Sequence, residues 1–181
     1  MATLRPHPVI FRLSLTELED TVIVREKIMD VIKQRLARIQ ITNGYYCDCG
    51  TDVQEGKLVG LTPPTPSLNV WDGGENAERV HRTEINTLTI TIELYEKGTA
   101  TATSESIARV ARRMGADVRR AIMWNHNYEK VDPSLDGLAE GIKYKASDLV
   151  LGFNPESWTG VIMEYEVTYI TISGNPFRSK E

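Results

Sequence analysis

Residues 84–125 decide the fold: EINTLTITIELYEKGTATATSESIARVARRMGADVRRAIMWN. In the first half of this stretch, apolar residues alternate with threonine or glutamate. The apolar members are Leu88, Ile90, Ile92 and Leu94. Alternation with a period of two predicts a strand with one buried face and one wetter face.

The second half of the same stretch has the periodicity of a helix. When each residue is turned by about 100°, the apolar residues fall within an arc of roughly 120°. They are Ile107, Val110, Ala111, Met114, Val118, Ala121 and Ile122. The opposite half of the helix carries the arginine stripe, which consists of Arg109, Arg112, Arg113, Arg119 and Arg120. We therefore predict a helix whose apolar side covers the sheet and whose arginine stripe faces outward.

The rest of the chain predicts an α+β fold. A second apolar stripe, from Val24 to Ile39, predicts a helix that ends near Thr42-Asn43-Gly44, since Asn and Gly tolerate positive φ. Short strands are expected near 52–58 and 67–71, and a long hairpin at 142–172. We expect a mixed or antiparallel sheet of about four to five strands, with the two amphipathic helices packed on one face.

The length of 181 residues suits one domain with a proper core. Residues 1–20 are expected to form an N-terminal arm or extension, because Pro6 and Pro8 forbid an early helix. Residues 21–173 are expected to form a single domain, and residues 174–181 a polar C-terminal tail. Within the domain, the charged stretch 75–83 is expected to be a loop.

Composition narrows the class of protein. The 41% hydrophobic and 25% charged fractions are those of an ordinary soluble globular protein. The formal charge of −4 argues against a general nucleic-acid binder, which usually carries a basic excess. No apolar run approaches the roughly 20 residues of a membrane span, and the N-terminus lacks the apolar region of a signal peptide. We expect a soluble protein made in the cytosol, with no membrane partner.

Motifs for enzyme chemistry are absent from the sequence. There is no glycine-rich phosphate loop, no helical histidine pair and no nucleophile elbow, so we expect no catalytic, cofactor-binding or metal-binding residues. Cys47 and Cys49 are separated by one residue and would point to opposite faces of an extended segment. Two reduced, incidental thiols are therefore favoured over a zinc site that would have to recruit His81 or His126.

Two groups of charged residues are candidates for contacts with partners. The arginine stripe is either a solvated face, a surface that docks onto acidic residues of another copy, or, as the least favoured alternative, a nucleic-acid contact. Arg35 falls within the first apolar stripe and is either a snorkelling side chain or one half of an ion pair across a subunit contact. Glu164 and Glu166 share a strand face about 7 Å apart, where solvation is the simplest interpretation.

Short motifs occur in an order that resembles one protein family. They are Thr42-Asn43-Gly44-Tyr45, Asp48-Cys49-Gly50-Thr51-Asp52-Val53, Glu55-Gly56-Lys57, Pro66, Val70-Trp71-Asp72-Gly73 and Glu164-Tyr165-Glu166-Val167-Thr168-Tyr169. Together with the threonine-rich strand and the arginine-bearing helix, they resemble the tail terminator (tail completion, gpU-like) proteins of long-tailed bacteriophages. The resemblance covers roughly Val24 to Ser173.

The resemblance implies a structural role without catalysis or cofactors. It implies a homohexameric ring in the virion, at the head-proximal end of the tail, that caps the tail tube and offers a surface to head-completion proteins of the neck. Assembly would take place in the host cytoplasm, and genomic DNA would pass through the ring lumen. The alternatives are another neck or tail component, such as a head–tail joining or tube-like protein, and a small metal-dependent enzyme.

A ring needs two different complementary patches on each subunit. We expect the arginine stripe to form one patch. The candidates for the other patch are Glu17, Glu19 and Asp20 in the N-terminal arm, or Glu164 and Glu166 in the last long strand.

Overall fold

A computed structural model describes residues 22–56, 67–97, 104–125, 129–151 and 158–179. The helices are α1 (Val24–Leu36) and α2 (Ser104–Met123). The strands are β1 (Val53–Glu55), β2 (Ser67–Val80), β3 (Thr83–Lys97), β4 (Trp124–Asn125), β5 (Lys130–Val131), β6 (Gly141–Leu151), β7 (Trp158–Ile172) and β8 (Asn175–Ser179). The arm expected at residues 1–20 lies outside the described residues.

Six of the strands form one mixed sheet in the order β1-β2-β3-β7-β6, with β8 paired to β7. The β1–β2 pair is parallel, and the other pairs are antiparallel. β4 and β5 form a small second sheet. The predicted α+β class is confirmed, although the main sheet has more strands than the four to five expected.

One face of the sheet is buried under both helices. The register of β3 and β7 places Ile90 opposite Tyr165 and Ile92 opposite Met163, and these four side chains are at most 1% exposed. α2 contacts β6 and β7 and packs against α1. Apolar residues of both helices share a single core with this face of the sheet, as the two periodicities predict. No helix in the described ranges is long and apolar enough to cross a membrane.

The expected loop at 75–83 is wrong, because β2 continues to Val80 and pairs with β3 along its length. Backbone hydrogen bonds to β3 stabilise this segment as a strand although its side chains are mostly polar. Gly73 and Gly74 lie where the register shifts between Asp72 and Glu75, and thus accommodate a β-bulge. The hairpin closes in a tight turn in which His81 adopts a φ of +59°. The expected C-terminal tail also differs, since residues 175–179 form β8.

Candidate interaction surface

Arg35 is buried inside the subunit, where it is only 5% exposed. Its guanidinium binds the Asp132 carboxylate at 2.7 Å and the Asp136 carboxylate at 3.0 Å, and donates to the carbonyl oxygen of Ile122 at 2.7 Å. A snorkelling side chain is therefore the wrong interpretation. The ion-pair partners belong to the same chain, so Arg35 joins α1 to the loop before β6 instead of crossing a subunit contact.

The Arg35 site is closed by further hydrogen bonds within the loop. Asn125 donates to both carboxylates, and the Ser134 hydroxyl donates to Asp132 at 2.5 Å. Burial alone would raise the pKa of Asp132, but hydrogen bonds from Ser134, Asn125 and the Asp136 backbone outweigh it and leave the pKa well below its ordinary value. Asp132 therefore stays ionised beside the guanidinium.

The arginine stripe lies outside the core, as predicted, and all five of its residues are exposed. Three of the five guanidinium groups stack on tyrosine rings. The distances from the guanidinium carbon to the ring centroid are 3.8 Å for Arg120 on Tyr45, 5.1 Å for Arg113 on Tyr46, and 4.5 Å for Arg119 on Tyr144. Stacking uses the flat face of a guanidinium and restricts its rotamers, while the N–H groups at its edge can still donate.

The segment that carries Tyr45 and Tyr46 is fixed onto α2 by polar contacts. Arg120 donates to the Gly44 carbonyl at 2.9 Å, and the Tyr46 backbone N–H donates to Asp117 at 2.6 Å. Burial raises the pKa of Asp117, although this hydrogen bond and the nearby Arg120 act in the opposite direction. Part of the arginine stripe is thus built jointly by α2 and a loop more than 60 residues away.

The tyrosines are the residues that sequence reasoning missed. Tyr45 and Tyr46 follow the end of the first helix, and Tyr144 lies in β6, so no helical spacing connects them with the arginines. The only local signal was Asn43-Gly44, which does not end α1, as the sequence predicted, but ends a separate 3-10 helix at Ile41–Asn43. Gly44 has a φ of +76° and turns the chain so that the next two residues reach α2.

Arg109 and Arg112 complete the stripe. Both residues are exposed. Arg112 and Arg119 flank an open groove of about 150 Å³ between α2 and β6. The groove therefore carries two cationic side chains from α2 beside residues of β6 and β7.

The two glutamates of β7 lie on the other side of the sheet from the helices. Glu166 is half-buried, and its carboxylate forms an ion pair with the Lys145 ammonium at 2.9 Å, while Glu164 is exposed. The register pairs them with Thr89 and Thr91 of β3. Glu164 and Glu166 therefore lie away from the arginine stripe of their own subunit. A contact between two different patches of neighbouring subunits requires this separation.

The cysteines do not lie in an extended segment, because Cys49 begins a 3-10 helix that ends at Thr51. Both thiols are free and buried, and a hydrogen bond with Cys47, together with burial, raises the pKa of Cys49. The expectation that they point to opposite faces is therefore wrong. Within the described residues, no group of three or more His, Cys, Asp or Glu side chains is arranged to hold a metal ion. His81 is exposed in the β2–β3 turn, and His126 lies outside the described residues.

Comparison with known proteins gives a structural likeness only. No protein-family profile matches the chain, and no curated protein matches it. Among solved structures, a chain described as part of the virion of a native gene transfer agent particle is similar, with a TM-score of 0.41 and 12% identity. The similar region covers 81% of this chain and 90% of that chain. Such a likeness does not assign a function to this protein.

Proposed function

We propose that this chain is a structural virion protein that assembles into a ring, terminates a bacteriophage tail tube and joins the tube to head-completion proteins of the neck. The observation that carries the proposal is the exposed arginine stripe, three of whose five guanidinium groups are held in place by tyrosine rings. A preorganised cationic surface on an acidic chain fits assembly by charge complementarity.

Residues of the motifs that resemble tail terminators contribute to this surface. The Asn43-Gly44-Tyr45 motif supplies the left-handed turn and the ring on which Arg120 stacks. Gly50 belongs to the next motif, and a Cβ there would lie 2.5 Å from the carbonyl oxygen of Leu36. Only glycine allows this loop to pass so close to the end of α1. The motifs thus keep the geometry that positions the arginine stripe.

The two sides of the subunit are suited to a head-to-tail ring. Such a ring needs two different patches on each subunit. The ring closes when the rotations between successive subunits add up to a full turn. The arginine stripe lies on the helix side of the molecule, whereas Glu164 is exposed on the open side of the sheet. We propose a homohexamer in which the stripe of one subunit contacts acidic residues of the next, and no catalytic step.

The test uses the full chain with its tail-tube protein. Native mass spectrometry and negative-stain microscopy should detect six-fold rings and a single ring at one end of each tube. Reversing Arg112 and Arg113 to Glu should abolish ring formation, because it inverts the charge of the arginine stripe. The subunit should still fold, because both side chains lie outside the core. The matched control is the reversal of Arg79 and Arg82, which are also exposed but lie near the β2–β3 turn.

Each alternative has its own outcome. Rings stacked along the tube would indicate a tube-like protein, and a ring bound to the head in the absence of a tube would indicate a joining protein. Stoichiometric zinc in the purified protein would favour the metal-dependent enzyme. Unchanged assembly of the Arg112 and Arg113 double variant would contradict a role for the arginine stripe.

A further inference from the structure

The groove between α2 and β6 has an apolar floor and cationic rims. Its floor is formed by Ala111, Val161 and Met163, which are at most 2% exposed. Leu149 adds an apolar side chain that is 43% exposed. A volume near 150 Å³ is large enough for an apolar group about the size of benzene, and thus for one aliphatic side chain.

Gly115 keeps this groove open, although the packing of the subunit does not require glycine there. A Cβ at Gly115 would meet the Val161 and Met163 side chains at 3.6 Å and 3.8 Å, which are ordinary contact distances. In contrast, a Cβ at Gly50 or Gly160 would collide with backbone at 2.5 Å or 2.6 Å. Glycine inside a helix costs about 0.5–1 kcal/mol relative to alanine, so the wider groove is kept at some expense to the stability of α2.

The rims of the groove favour carboxylates. Arg112 and Arg119 are separated by seven positions, which is about 10 Å along the helix axis. The guanidinium of Arg119 lies over the ring of Tyr144, and among the residues that the structure describes no acidic side chain lines the groove. A ligand that fits both floor and rims is an aliphatic side chain flanked by acidic residues.

We propose that the groove receives Leu18 of a second copy, with Glu17, Glu19 and Asp20 of that copy pairing with Arg112 and Arg119. The sequence Glu17-Leu18-Glu19-Asp20 has the required chemistry, one aliphatic side chain between carboxylates. This inference rests on the proposed assembly of several copies and names the acidic partner of the arginine stripe.

The geometry of the subunit favours a second copy as the source of this segment. Leu18 is four residues before Val22, so it lies no more than about 14 Å from it. α1 begins beside β2, where Arg25 pairs with Asp72 at 2.5 Å. The groove opens between α2 and β6, and β6 is three strands away from β2, which is about 14 Å across the sheet. A segment of the same chain would therefore have to be fully extended to reach the groove, whereas the same segment of a second copy can approach it from outside.

Disulfide trapping between full-length chains tests the contact directly. A chain with Leu18→Cys is mixed under mild oxidation with an affinity-tagged chain carrying Ala116→Cys, an exposed position on the groove rim. The native Cys47 and Cys49 are buried, and the tag gives the mixed product its own mass. The matched control replaces Ala116→Cys with Glu164→Cys on the opposite face of the sheet.

We expect at least tenfold more mixed product with Ala116→Cys than with Glu164→Cys. Adding Arg112→Glu and Arg119→Glu to the acceptor should remove that excess, and adding Glu17→Arg and Glu19→Arg to the donor should restore it. Equal yields at the two acceptor positions would overturn the inference.

Failure of this contact and failure of the proposed function can be told apart. Normal rings on tubes without the trapped product would overturn the Leu18 contact and leave the ring proposal intact. Efficient trapping by chains that never bind a tube would support the contact and count against tail termination.

Discussion

Arg35 in α1 and Asp132 in the loop before β6 are 97 positions apart in the chain, and their side chains meet at 2.7 Å inside the subunit. The same guanidinium reaches the carbonyl oxygens of Ile122 and Asp132 at 2.7 Å and 2.8 Å. One side chain thus connects the first helix, the end of the second helix and the loop that leads into the edge strand. The loop is held in place by this residue and its hydrogen-bonded partners, together with the buried side chain of Leu135.

Replacing Arg35 with Met should lower the free energy of unfolding by about 3–5 kcal/mol, because Asp132 would be left buried without its cationic partner. Urea denaturation measures the change. The control is Lys33→Met, which removes the exposed 2.6 Å pair with Glu55 and should cost no more than about 1 kcal/mol. Equal losses in the two variants would contradict a structural role for the buried pair.

The stabilising effect of Asp132 should disappear in acid. Its pKa is lower in the folded protein than the value of about 3.9 in an unfolded chain. Its contribution is therefore complete above about pH 4–5 and is lost as the pH falls from there toward the folded pKa. In urea titrations at several pH values, the stability difference between the wild type and Asp132→Asn should shrink as the pH drops. A constant difference would argue against ionised Asp132 as the cause.

Arg120→Met should destabilise the protein more than Arg112→Met. Arg120 stacks on Tyr45 and donates to the Gly44 carbonyl, so its loss should cost about 1–2 kcal/mol. Arg112 is exposed, and substitutions at such positions usually change stability by no more than about 0.5 kcal/mol. Thermal or chemical unfolding of the two variants measures this difference. Matching stabilities would mean that stacking does not hold the Tyr45 segment on α2.

Alanine should have opposite effects at two glycines. Gly115→Ala should stabilise the subunit by about 0.5–1 kcal/mol, since helix propensity improves and the new Cβ finds ordinary contacts. Gly50→Ala should destabilise it by about 1–3 kcal/mol, because its Cβ would lie 2.5 Å from the Leu36 carbonyl oxygen. The shift in denaturation midpoint gives both signs. A destabilising Gly115→Ala would indicate that the fold itself needs that glycine.

Ile90→Asp should prevent cooperative folding, because Ile90 is fully buried at the centre of the sheet and the new carboxylate would have no partner. Thr87→Asp is the matched control on the opposite face of β3, where the side chain is only half-buried. Circular dichroism during heating should show a sharp transition for the control alone. Cooperative melting of Ile90→Asp would contradict the assigned faces of β3.

Helix and strand periodicities determined much of the fold. The alternation in 88–94 and the apolar stripe of α2 each reflect a local repeat that is written in neighbouring residues, so the buried face of the sheet and the outward arginine stripe followed from the sequence. The stretch 75–83 was predicted wrongly, since its strand depends on pairing with β3 and not on its own composition.

The sequence by itself determined which residues are apolar at which spacing, and hence the α+β class and the position of the arginines. Only the tertiary structure decided what those arginines touch. Arg35 is paired with Asp132, and Arg120 is stacked on Tyr45, because the folded chain brings together residues 97 and 75 positions apart. Contacts at such separations leave no periodic trace in a sequence, since they depend on the path of the whole backbone.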